Sequence, residues 1–151
     1  MEYNFVEVIK LTLEEIKAAS IFPFGSENVN YAQYFDGKSY LGIVSKDQVL
    51  IANVTFEPGC RNHWHIHHAK SGGGQILLVT QGRGWYQEFG KPARALKAGD
   101  VVNIPAGVKH WHGAAKDSAF QHLAVEVAGV ETSNEWCEPV NAEDYNKLEW
   151  K

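Results

Sequence analysis

What most constrains the fold of this 151-residue chain is a series of short β-forming segments between residues 40 and 127, each closed by Gly, Pro, Asp or Asn. Tyr40–Val44, Val49–Phe56, Arg61–His67, Gln75–Val79, Gly84–Glu88, Arg94–Leu96, Val101–Ile104, His110–Ala114 and Phe120–Val127 each read as a strand. Many short strands at regular spacing predict a sandwich or barrel, in which inward and outward side chains alternate and closure removes exposed edges. Helical signals are confined to the ends. Thr12-Leu13-Glu14-Glu15 has the spacing of a capping box and opens a short helix to about Ala19, shut off by Pro23 and Gly25. Asn141, followed by Ala142-Glu143-Asp144, caps a last turn or two through Leu148.

One domain is expected over 1–151, with an N-terminal arm (1–38), a barrel at about 39–130 and a C-terminal tail (131–151). With 44% hydrophobic residues and 14 basic against 18 acidic side chains, the chain can build a core but has no basic stripe to displace counterions from phosphates. Nucleic acid is therefore not an expected partner. Met1-Glu2-Tyr3-Asn4 lacks the basic and apolar regions of a signal peptide, and no apolar run is long enough to span a bilayer, so the expected location is cytoplasmic with no membrane contact. Cys60 and Cys137, without CxxC spacing, suggest neither a disulfide framework nor a thiolate zinc site. Cys60 is either an oxidation liability or a plain small residue.

Strand parity then says which side chains share an interior. Across 62–67 the histidines at 63, 65 and 67 fall on one face, with Trp64 and Ile66 on the other. His65 and His67 can be joined by His110 from a later strand to complete a facial metal site. His110 and His112 share a face, as do His122, Ala124 and Glu126. Leu50, Ala52, Val54 and Phe56 supply an apolar wall against which a compact substrate can rest. Trp64, Trp85, Trp111 and Trp136 read as packing residues.

Two motifs give these residues a familiar register: Gly59, five residues, His65-Ile66-His67, then Gln75, six residues, Gly82; and Gly99, five residues, Pro105-Ala106-Gly107, two residues, His110. The chain resembles a cupin in these two blocks. More narrowly, Val54-Thr55-Phe56-Glu57-Pro58-Gly59, Lys109-His110-Trp111-His112-Gly113-Ala114-Ala115 and His122-Leu123-Ala124 are similar to small bacterial cupins related to manganese-dependent hydroxynitrile lyases. The resemblance implies an all-β double-stranded β-helix, or jelly-roll barrel, with short terminal helices. It also implies one divalent transition metal held by His65, His67, Gln75 and His110: Mn first, with Fe, Ni, Co or Zn also suited to such donors.

Gln75 stands where cupins usually carry a glutamate. Three neutral imidazoles and an amide would leave the ion its full double positive charge and favour polarising chemistry. An open or water-filled position is the alternative to ligation by Gln75. Seven residues, 68–74, separate His67 from Gln75 where the family has three or four, and Gly72-Gly73-Gly74 is expected to form a mobile loop at the barrel mouth. His68 is expected on that loop. His63 and His112 read as residues that orient a ligand or line the rim.

The resemblance gives His122 a catalytic proton-transfer role, against the alternative of a satisfied core histidine. Glu126 either orients His122 or faces solvent. With Ala52, Val54, Glu126 and His112 lining the substrate pocket, the expected reaction is cleavage of a cyanohydrin to an aldehyde and cyanide. An Fe(II) oxygenase and a non-catalytic metal or small-ligand binding module remain open. A small molecule is the expected partner, together with a second copy of the chain, for which Phe22-Pro23-Phe24 and Tyr31–Phe35 supply apolar surface.

Overall fold

A computed structural model describes residues 8–151, so the first four residues, read above for a leader, lie outside the described part. In chain order the elements are α1 (Leu13–Ala19), β1 (Ser26–Glu27), a 3-10 turn (Ala32–Tyr34), β2 (Phe35–Asp36), β3 (Ser39–Ser45), β4 (Ile51–Phe56), β5 (Arg61–Asn62), β6 (His65–His68) and β7 (Ser71–Gly72). They continue with β8 (Gln75–Glu88), β9 (Arg94–Lys97), β10 (Val101–Ile104), β11 (His110–Ala114), β12 (Phe120–Glu126), β13 (Gly129–Val130), β14 (Ser133–Trp136) and α2 (Ala142–Asn146). The protein is an all-β barrel of two walls with a short helix near each end.

One strand joins its two walls. The first half of β8 pairs with β10 and β12, in the wall that also holds β4, β3 and β1. Its second half pairs with β11 and β9 in the wall built with β5, β6 and β14. The sequence predicts two strands here, Gln75–Val79 and Gly84–Glu88, divided at the glycines. The glycines bend the strand without ending it: Gly82 has φ 81°, and a Cβ on Gly84 would sit 2.5 Å from the Phe120 ring.

A second difference lies at the histidines. Arg61–His67 was expected to be one strand, but the backbone leaves the ladder at His63 and Trp64, whose N–H groups donate to Tyr34 and Glu138 carbonyls. The alternation therefore resets. His63 does not join His65 and His67; its Nε2 lies 3.7 Å from an Asp36 carboxylate oxygen.

Between the walls lie Val54, Phe56, Leu77, Val79, Leu96, Val102, Ile104 and Phe120, the principal core. Phe56 is fully buried there, behind the cavity wall to which the sequence reading assigned it. Cys60 belongs to the same core, and burial pushes its thiol up to about 12, which makes it inert at neutral pH. A satellite cluster of Trp85, Trp111, Ala115, Val140 and Tyr145 seats the tail on the outside, with the Tyr145 hydroxyl donating to the Ala114 carbonyl at 2.6 Å. The tail helix ends at Asn146, two residues short of expectation.

The N-terminal helix has its expected capping box, with Thr12 and Glu15 each bonding the other's backbone N–H. It is latched to the barrel through Gln121. That buried amide donates to Ser20 Oγ (2.9 Å) and Thr55 Oγ1 (3.0 Å) and accepts from Thr80 Oγ1 (2.8 Å) and Gln81 Nε2 (3.0 Å). Gln81 also donates to the Ile16 carbonyl at 3.1 Å.

Candidate metal centre

Strand register brings the candidate metal-ligating histidines together. His110 on β11 is paired directly with His65 on β6, so both side chains leave the sheet on one face, and His67 follows two residues later. His65, His67 and His110 each offer a ring nitrogen within 4.8 Å of the others, and all three are buried. In each ring Nδ1 faces an oxygen: the His63 carbonyl for His65 (2.8 Å), Asn134 Oδ1 for His67 (2.8 Å) and the Val108 carbonyl for His110 (2.9 Å). An oxygen acceptor holds the proton on Nδ1 and leaves the Nε2 lone pair free, the tautomer a metal requires.

Nε2 of His67 and of His110 and Oε1 of Gln75 are buried without a hydrogen bond among the described residues. Orphaned buried acceptors are costly, and the two on His67 and His110, whose ring nitrogens lie within 4.8 Å of each other and of His65, fit an ion better than a core. Burial also holds the His110 imidazole down to about 4 and, with His110 beside it, holds His65 well below its ordinary value. Both are therefore neutral at neutral pH, as ligands must be.

Gln75 opens β8 directly opposite Glu126 on β12. Its Nε2 donates to Glu126 Oε1 at 2.6 Å, so the amide oxygen is the unpartnered end. Glu126 thus braces Gln75 and makes no hydrogen bond to His122, the role considered for it from sequence.

His122 is fully buried, with Nε2 at 3.0 Å from Nδ1 of His112. His112 in turn lies 3.2 Å from the Asn62 amide nitrogen, whose partner oxygen accepts the His112 backbone N–H at 2.9 Å. Burial holds His122 down to about 4 and His112 well below its ordinary value.

A cavity of about 700 Å³ is lined by His65, His67, Gln75, His112 and His122, with His110 packed behind His65 and His67. Ala52, Val54, His112, His122 and Glu126 are among its lining residues, with Leu41 and Leu50 on the aliphatic side and Tyr31, Phe35 and Trp136 on the aromatic side. Trp136, read from sequence as packing, is part of the pocket: its ring lies 4.7 Å from His65 and stacks on Tyr34 at 4.5 Å. At the mouth, Gly72–Gly74 do not form an open loop. Ser71–Gly72 pairs with Gly129–Val130, and all three glycines take φ between 60° and 89°. His68 ends β6 and lies 2.7 Å from Glu135 Oε1.

Sequence reasoning missed Asn62, Asn134 and the pocket role of Trp136. The last two sit on β14, paired with β6 but placed by the sequence in the tail. Their only local signal is the period-two spacing of Asn134 and Trp136 within a polar tetrapeptide.

Residues 52–126 match the cupin domain family. Over 103 residues the chain is 44% identical to the (R)-mandelonitrile lyase of Granulicella tundricola, covering 67% of this chain and 76% of that protein. The chain belongs to the cupin family. A cupin-like protein from Thermotoga maritima superposes with a TM-score of 0.73 at 42% identity, covering 85% of this chain and 96% of its own. A DMSP lyase from Ruegeria pomeroyi shares the fold at 22% identity, with a TM-score of 0.55 over 76% of this cupin and 57% of that chain. No helix among this cupin's described residues is long and apolar enough to cross a membrane.

Proposed function

We propose that this cupin is a metal-dependent lyase that cleaves a cyanohydrin, with Mn²⁺ held by His65, His67, His110 and Gln75. The 44% identity to a mandelonitrile lyase supports the reaction class. The observation that carries the reading is a neutral, buried His122 on the cavity that His65, His67 and Gln75 also line, with His110 grouped behind the first two. When bound, a divalent ion supplies Lewis acidity, which makes a hydroxyl oxygen easier to deprotonate.

The chain's own residues do the rest. His122 Nε2 is engaged by His112, leaving Nδ1 as the nitrogen free to exchange a proton. It takes the substrate hydroxyl proton; the C–O bond becomes the aldehyde carbonyl, and the carbon–carbon bond breaks with its electron pair leaving on cyanide. Return of the proton releases hydrogen cyanide and restores neutral His122. Ala52 and Val54 leave room for an aryl ring, and Trp136 and Phe35 offer it an aromatic face.

The test is cleavage of racemic mandelonitrile by apo, Mn-loaded and Fe-loaded protein, following benzaldehyde above the spontaneous rate. Metal-dependent, enantioselective cleavage that is lost in His110→Ala is the expected result. Turnover of other substrates that stops without oxygen would replace the lyase with an Fe(II) oxygenase, and saturable binding without turnover would replace it with a binding module. A homodimer is proposed alongside, supported by exposed Ile21, Val29 and Tyr31 near the N-terminal end, and a cytoplasmic location is carried over from the sequence. Sedimentation as a monomer would remove the dimer.

A further inference from the structure

The cavity wall raises a question that the family pattern does not answer: why an amide stands at position 75. Gln75 and Glu126 are cross-strand partners, so β8–β12 register places both side chains on the interior face. Glu126 is the one Asp, Glu, Lys or Arg among the described residues lining the cavity. A carboxylate offers only acceptors, and at 2.6 Å whatever stands at 75 must donate toward it. An amide does this with its nitrogen and thereby turns its oxygen away, where Oε1 is buried and unpartnered. A glutamate at 75 would set acceptor against acceptor at the same spacing.

We infer that Glu126 is a positioning residue that fixes the Gln75 amide with its oxygen toward the three histidines, so that the two positions form one coupled donor–acceptor unit setting metal affinity. This rests on the metal-binding reading of the site and is independent of the lyase reading. Glu126 has no contact with the ion in this assignment and acts only through Gln75. Bracing partners of this kind change metal affinity by about tenfold to a hundredfold.

The test is Mn²⁺ binding by calorimetry, with no turnover measured, on the full chain and a set of variants. Glu126→Leu removes the acceptor and is expected to weaken Mn²⁺ binding by about tenfold or more, with the apo melting temperature close to that of the parent. Glu126→Gln keeps an acceptor and is expected to stay within about threefold. Gln75→Glu places two acceptors together, and adding Glu126→Gln to it supplies the missing donor. The double variant should therefore bind at least about tenfold more tightly than Gln75→Glu alone, a non-additivity that defines coupling. If Glu126→Leu binds Mn²⁺ as the parent does, or Glu126→Gln has the same effect in both backgrounds, the inference is overturned. If Glu126→Leu fails to fold, the cycle alone decides. A parent chain that binds no divalent ion overturns both this inference and the metal reading, whereas expected binding without cyanohydrin cleavage removes only the lyase.

Discussion

Gln121 and His122 are neighbours on β12, and they sit in opposite polar environments. Gln121 has its amide nitrogen and oxygen each bonded to two partners, in a network that closes the N-terminal helix onto the barrel. One residue on, the histidine cluster holds buried atoms with no hydrogen-bond partner among the described residues: Nε2 of His67 and His110, Oε1 of Gln75 and Nδ1 of His122. Both regions take polar groups out of water, at a cost in each case. The satisfied network returns that cost as stability, whereas the unsatisfied one keeps it available for a ligand. Adjacent residues of one strand therefore separate structural from functional burial.

Substitutions can break this contrast, and the largest effect is expected at the centre itself. His110→Ala should weaken Mn²⁺ binding by about a hundredfold or more in calorimetry, because one of three converging imidazoles is gone. Next, His122→Phe should lower the rate of cyanohydrin cleavage by about a hundredfold while Mn²⁺ affinity stays within about threefold, since proton transfer is lost and the donor set is kept. Unchanged turnover would return His122 to the role of core residue. On the other side of the strand, Gln121→Leu should cost about 3 kcal/mol in urea unfolding by stranding several buried partners, and should leave Mn²⁺ affinity alone.

The pH response of the apo protein sharpens the comparison further. His110 and His122 are held down to about 4 when folded, below the ordinary 6.5, so between these values the unfolded chain binds more protons. Their contribution is present above about pH 6.5 and is lost as pH falls toward 4. From pH 7 to 5.5 each group should remove on the order of 1 kcal/mol, read as a falling urea midpoint. His122→Phe should abolish its share, and Gln121→Leu should leave the slope unchanged. The smallest effect, about 1 kcal/mol with no consequence at the cavity, is expected for Thr12→Ala at the helix cap.

Where turn residues punctuate the chain, the sequence is a good guide to structure. Val101–Ile104, between Asp100 and Pro105, and His110–Ala114 are strands with the expected bounds. The break at His63 and Trp64 carries no Gly or Pro, because the hydrogen bonds that pull the backbone out of the ladder come from Tyr34 and Glu138, distant in sequence. Gly82 misled in the opposite sense, since a glycine that ends a strand and one that bends it look alike locally. In the site, the HxH spacing and the second motif locate the three imidazoles. The bracing contacts follow from register: Asn134 enters only once β14 lies beside β6, and Glu126, already legible as a pocket residue, finds its partner Gln75 only once β12 lies beside β8.

The late position of β14 has a consequence for biosynthesis. As the chain leaves the ribosome, residues up to His122 can emerge with all the histidines of the cavity present, yet His67 still lacks the oxygen that fixes its ring and β6 still has an open edge. Both are supplied by residues 133–136, so on a nascent chain the His67 ring is fixed and the β6 edge closed only once that segment is available to pair.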